Sequence, residues 1–137
     1  MIYTYKSEIK TLNISAEKAF EKLSDFSQLE NLKTQPNLPP EIKNVNFAKD
    51  YLSINTAGQT AGLKIVEREP FKAIKLEGMN LPIKVDAQIL LSESAADSTQ
   101  LQLTLNADLP AMLKLMFDSK LRDMVNLVAE VLQKGVE

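Results

Sequence analysis

Neither cysteine nor histidine occurs in the 137 residues. Without cysteine there is no disulfide framework and no thiol nucleophile. Without histidine the commonest general base and the commonest zinc ligand are missing together. Serine–histidine and cysteine–histidine catalysis are excluded as a result. An excess of one charge is lacking too: 16 Lys and Arg interleave with 18 Asp and Glu, for a net charge of −2. No basic patch stands out, which argues against nucleic acid as a partner. No apolar run approaches the roughly 18–20 residues that a membrane span needs. The first residues, Met1 to Glu8, lack the apolar core of a signal peptide. The expectation is a soluble, cytoplasmic protein. At this length one domain over residues 1–137 is expected, burying roughly two-thirds of the unfolded surface without covalent staples.

The chain does contain a strongly periodic C-terminal stretch, from Leu109 to Val136. Leu113, Phe117, Leu121, Met124, Val128 and Val131 recur at steps of three or four, which is one face of an α-helix. Met116, Leu127 and Leu132 widen that face. Asp108 is placed to cap its start, Pro110 suits its first turn, and Gly135 is placed to end it. A helix of roughly 25 residues is about 37 Å long. It needs a large apolar partner.

The rest of the chain supplies a sheet. Ile2 to Leu12 alternates, with Tyr3, Tyr5, Ser7 and Ile9 on one face. Ser15 then caps a short helix carrying Ala16, Ala19, Phe20 and Leu23, and a second short helix starts at Ser27 with Glu30 as its capping-box partner. Three prolines between Gln35 and Glu41 make an ordered loop. Strands follow at Val45–Phe47, Tyr51–Thr56, Leu63–Glu69, Phe71–Glu77, Ile83–Ser92 and Thr99–Asp108, with turns at 48–50, 57–62 and 94–98. Strands joined by short turns pair antiparallel. The expected fold is therefore α+β: a curved antiparallel sheet of about seven strands gripping the long C-terminal helix, with two short helices after strand one.

That element order, and the stretch from Ile14 to Phe26, resembles the START-like, helix-grip superfamily (SRPBCC). It includes polyketide cyclase-like proteins, the birch pollen allergen family and lipid-transfer domains. The matching residues are Ser15, the helical aromatic Phe20, and Leu23-Ser24-Asp25 before the second helix. The resemblance covers the whole chain in element order and only this stretch in residues. It implies a cavity between sheet and last helix that takes apolar ligands. It carries over no catalytic set, and the missing histidine departs from members that rely on one.

The interior face fits that implication. Ile83, Val85, Ile89, Leu101, Leu103, Leu105 and Phe117 make almost purely aliphatic walls, and Met112, Met116 and Met124 suit an adaptable one. The alternative is that these side chains fill the space as core. The cavity-lining candidates are Tyr3, Tyr5, Ser7, Val85, Ile89, Leu103, Met116, Phe117 and Leu121, with the tyrosines placed to orient a ligand's polar end. Tyr51, Ser53 and Asn55 share a strand face and are a second polar set.

The expected function is binding of a small apolar molecule, lipid- or isoprenoid-like, without cofactor or metal. Asp118, Arg122 and Asp123 read as a surface cluster, because one helix face gives too few ligands for a hard cation. Two other functions compete. A cyclase- or hydrolase-like enzyme would need tyrosine with a buried carboxylate, and Glu67, Glu69 and Glu77 are its candidates. A protein-interaction or homodimerisation module would expose an apolar patch, drawn from Met79, Leu81, Ala111, Leu115 and Val125. In the triplet Glu67-Arg68-Glu69 alternation sets the arginine opposite the glutamates, so one set faces inward if the strand is central.

Overall fold

The computed structural model describes residues 1–34, 43–56 and 58–136. The proline-rich stretch after Thr34, expected as an ordered loop, lies outside the described residues, as do Ala57 and Glu137. Among the described residues eight strands form one antiparallel sheet: β1 (Ile2–Lys6), β2 (Lys10–Leu12), β3 (Asn46–Phe47), β4 (Tyr51–Thr56), β5 (Gln59–Glu69), β6 (Ala73–Met79), β7 (Lys84–Ala95) and β8 (Ser98–Asp108). Across the sheet the order is β1-β8-β7-β6-β5-β4-β3, and β2 also pairs with β8. Helix α1 (Ala16–Leu23) and a 3₁₀ helix (Phe26–Thr34) follow β2, and α2 (Ala111–Val136) closes the chain. This is the helix-grip fold: a curved sheet wrapped round a long terminal helix.

Three local features differ from expectation, each for a physical reason. The first strand is broken into β1 and β2 at Ser7. There the Ser7 N–H donates to the Leu103 carbonyl at 2.8 Å, its hydroxyl accepts from the Leu103 N–H at 2.9 Å, and the next N–H, of Glu8, leaves the ladder for Asn126 Oδ1 of α2. The turn between β4 and β5 is shorter than 57–62, because pairing continues to Thr56–Gln59 and Gly58 takes the positive φ of 77°. The second short helix is 3₁₀, and its start is capped by Asp25 rather than closed by Glu30. Asp25 Oδ1 accepts from the Ser27 N–H at 2.9 Å and from its hydroxyl, which holds the carboxyl below its usual range. Glu30 instead accepts the Phe47 N–H at 3.0 Å, tying the 3₁₀ helix to β3, and this bond lowers its pKa.

The stretch Leu23-Ser24-Asp25 is a junction. Ser24 returns its hydroxyl to the Phe20 carbonyl at 2.6 Å and ends α1, while Asp25 opens the next helix. Arg68 donates to the freed Ser24 carbonyl at 2.9 Å and to Asp50 at 2.6 Å. Arg68 therefore clamps β5 to this junction. Glu67 and Glu69 lie on the other face of the strand, both paired with Lys75 at 2.8 and 3.4 Å.

The core forms where the inner rows of β7 and β8 (Ala87, Ile89, Leu91; Leu101, Leu103, Leu105) meet Leu121, Val125, Ala129 and Leu132 of α2. Phe26, Leu29 and Leu32 of the 3₁₀ helix complete it. The buried stripe of α2 is thus turned slightly from the one expected. Val125, expected to face outward, is 1 % exposed, whereas Met112 and Met116, expected on the inner wall, face solvent beside Leu115, which was expected outside. Among the described residues no helix is long and apolar enough to cross a membrane.

Candidate functional site: an apolar cavity beside the helix

Helix α2 does not cover the sheet evenly. It packs against β8, β1, β2, α1 and the 3₁₀ helix. The half of the sheet built from β4 and β5 is left with a gap beneath it. The gap is a cavity of about 300 Å³. Leu52 and Ile54 of β4 and Ala61 and Leu63 of β5 form one wall, and these residues face each other in register (Leu52–Leu63, Ile54–Ala61). Phe117, Leu121, Met124 and Val128 of α2 form the opposite wall, at the steps of three and four that put them on one helix face. Val85 and Leu105 close the inner end, and Leu81, Pro82 and Ile83 border it from the β6–β7 connection. Ile54, Leu81 and Met124 line the cavity and are also exposed, so they mark its mouth.

The lining is aliphatic and aromatic, and among the described residues it contains no charged side chain. Ser53 of β4 also borders the cavity, with its side chain on the strand face opposite Leu52 and Ile54. Ser53 is 2 % exposed, and among the described residues its hydroxyl has no hydrogen-bond partner. The residue opposite it on β5 is Gly62, which also lines the cavity.

Val85, Phe117 and Leu121, named from the sequence, border this cavity. The other sequence candidates lie elsewhere. Ile89 and Leu103 are fully buried in the packed core, where α2 lies directly on β8. Met116 is one position round the helix from Phe117, and that rotation leaves it in solvent. Tyr3, Tyr5 and Ser7 sit on the strand edge that α2 covers, so they meet the helix. The Tyr3 ring lies 5.0 Å beneath the Lys114 ammonium. Ser7 spends its hydroxyl on Glu8 and Leu103. Tyr5 donates its hydroxyl to Asp118 Oδ1 at 2.8 Å, and Arg122 pairs with the other Asp118 oxygen at 3.0 Å. Asp118 and Arg122 thus form part of a buried-edge latch between β1 and α2. Among the described residues no three ligating side chains cluster as a metal site. The carboxylates considered for acid–base chemistry, Glu67, Glu69 and Glu77, do not border the cavity.

The walls from β4 and β5 went unnamed at the sequence level, although a signal was present. Leu52 and Ile54 alternate with polar residues, and the large Ile54 faces the small Ala61 across the strands. Large residues opposite small ones leave space.

The Tyr5 latch carries a pH prediction. Burial raises the Tyr5 pKa above 10.0, and the hydrogen bond to Asp118 raises it further. Above that pH the unfolded chain has lost the proton that the folded chain keeps, so stability falls as pH rises. Below it the contribution is constant. In Tyr5→Phe the alkaline loss between pH 9 and pH 11 is expected to shrink, and at pH 7 the variant is expected to lose about 1 kcal/mol. Urea unfolding midpoints at the three pH values check both.

No protein-family model matches the chain, and no curated protein matches it by sequence. Solved structures match it in fold. Norcoclaurine synthase from Thalictrum flavum, in complex with dopamine and hydroxybenzaldehyde, superposes with a TM-score of 0.71 at 10% identity, covering 98% of this chain and 86% of that one. A protein of Thermus thermophilus superposes at 0.66 and 11% identity, covering 98% and 97%. A START superfamily protein from Mycobacterium smegmatis superposes at 0.58 and 16% identity, covering 98% and 96%. The described residues therefore share the helix-grip fold of these structures.

Proposed function

We propose that the protein binds a small apolar molecule, lipid- or isoprenoid-like, in the cavity between β4–β5 and α2. The observation that carries this reading is the cavity itself: about 300 Å³ of uncharged, aliphatic and aromatic lining with a mouth at Ile54, Leu81 and Met124. Packed interiors leave few voids larger than a water molecule. Ligand pockets begin at about this size. The driving force is desolvation of the ligand, about 25 cal/mol per Å² of apolar area removed from water. The norcoclaurine synthase structure supports the reading as a protein of the same fold that holds small organic molecules.

Native and denaturing mass spectra of protein purified gently from its own source test this. A bound mass that is lost on denaturation is expected, and its composition identifies the ligand. Protein that is bare in every preparation, and that takes up no added apolar compound, contradicts the reading.

A second reading rests on a different surface. Met112, Leu115 and Met116 on the first turns of α2 are 82, 87 and 66 % exposed. Three large apolar side chains together favour an interaction surface, such as a homodimer contact. The same native spectra address it through the mass of the assembly: a dimer favours this reading, and a monomer at all concentrations opposes it.

A further inference from the structure

We propose that the cavity takes its ligand end-on: one hydrocarbon chain of about ten carbons lies inside, and the polar group of the molecule stays in water at the mouth. The class is a single-chain amphiphile, an alcohol or acid with its oxygen at one end. This rests on the reading that the cavity is a binding site, and it narrows what binds there.

Three observations lead to it. The first is that the interior offers no hydrogen bond. Among the described residues the side chains that form its walls are aliphatic or aromatic, and that of Ser53 leaves β4 on the other face. Backbone groups supply none either: β4 and β5 pair with each other from Tyr51–Lys64 to Thr56–Gln59, and α2 bonds within itself. A polar atom of the ligand placed inside would lose its water and gain no partner.

The second observation is that the cavity has one closed end and one open end. Val85 and Leu105 close it, whereas Ile54, Leu81 and Met124 are exposed at the mouth. A polar or charged group left at the mouth keeps its water, so it escapes the cost of burial. Where the polar group sits on the chain, and not which group it is, then decides binding. The third observation is size. A water occupies about 30 Å³ of liquid, so a cavity of this volume holds roughly ten such units, or a chain of roughly ten heavy atoms.

Three probes on one ten-carbon skeleton separate these cases. They are geraniol, with one terminal hydroxyl; geranate, with a terminal carboxylate; and geraniol carrying a second hydroxyl at the far end of its chain. Their affinities for the protein are measured by ligand-observed NMR titration at neutral pH. Geraniol and geranate are expected to bind within about threefold of each other, because both heads stay in water. The two-ended alcohol is expected to bind at least about tenfold more weakly than geraniol, because either orientation buries a hydroxyl without a partner. A series of straight-chain alcohols from six to fourteen carbons then reads the depth. Affinity is expected to rise roughly fourfold per added carbon and to level off at about ten carbons. A two-ended alcohol that binds as tightly as geraniol overturns the end-on arrangement and leaves the binding reading standing. Geranate that binds at least about tenfold more weakly than geraniol does the same, because the head is then not in water. Affinity that climbs through fourteen carbons without a break contradicts the enclosed depth and overturns the inference. Failure of all three geraniol-type probes to bind removes the binding reading, and the inference with it.

Discussion

Gly62→Ala is expected to lower stability by about 3 kcal/mol, at the upper end of what overpacking costs. A Cβ at this position would overlap the Leu52 carbonyl oxygen and would stand 2.7 Å from Ser53 Cα and 2.9 Å from the Leu52 carbonyl carbon. All three are backbone atoms of β4, so no side-chain rotation relieves the overlap. The strand itself must move away from β5. Among the described residues only the two-residue β3 pairs with β4 on its other side. With a urea m-value of about 1–3 kcal/mol per M, the unfolding midpoint should fall by at least about 1 M. The same movement would open the cavity wall, so ligand capture should fall with stability. A variant with a wild-type midpoint would show that the strands are not in van der Waals contact here.

Gly135→Leu is expected to cost about 2–3 kcal/mol, as overpacking of a closed interior does. Two effects oppose each other. Glycine is a poor helix residue, and replacing it gains up to about 1 kcal/mol in a helix interior, less at the frayed end where Gly135 lies. Against that, a Cβ at Gly135 would overlap Leu29 Cδ2 and approach Leu32 Cδ1 to 3.4 Å. Leu29 and Leu32 are fully buried, so neither can swing into solvent. Packing therefore outweighs propensity, and the larger leucine increases the cost over alanine. Gly135 is the point where the last turn of α2 meets the 3₁₀ helix. It is not the stop that its position near the chain end implied, since the helix runs on to Val136. Chemical denaturation checks the magnitude, and a variant as stable as wild type would mean the two helices stand further apart.

How far the sequence revealed this architecture depended on how much of it is periodic. Strand β8 could be read nearly to the residue and β7 to within three residues at its end, because Val85, Ala87, Ile89 and Leu91, and Leu101, Leu103, Leu105 and Ala107, alternate without interruption. Helix α2 was equally legible from its steps of three and four. The break at Ser7 was not, because it is a matter of where one N–H goes, and alternation continues across it. The 3₁₀ character of residues 26–34 was hidden for a similar reason, since three buried residues at steps of three suit either helix over so short a length.

The candidate site was only half visible. Periodicity tells which face of a strand is apolar but not which half of the sheet the helix will cover. Tyr3, Tyr5 and Ser7 share the inner face with the cavity walls, yet α2 lies over their end of the sheet and takes up their polar groups. The open half lies across the sheet from them, beneath β4 and β5. That offset follows from tertiary packing of α2 against β8, β1 and the 3₁₀ helix, and no local pattern records it. Gly62 and Gly135 teach the same point. Both are glycines for reasons of close approach between distant segments.

Whether the space beside α2 takes up an apolar molecule is tested most directly by a methyl-NMR titration of the labelled protein with geraniol. Shifts are expected at Leu63, Val85, Leu105, Leu121 and Val128, which border the cavity, with Leu90 and Leu115 unchanged on the outside. Shifts confined to Leu115, Met112 and Met116, with the cavity methyls silent, would contradict binding in the cavity and place it on the exposed face of the helix.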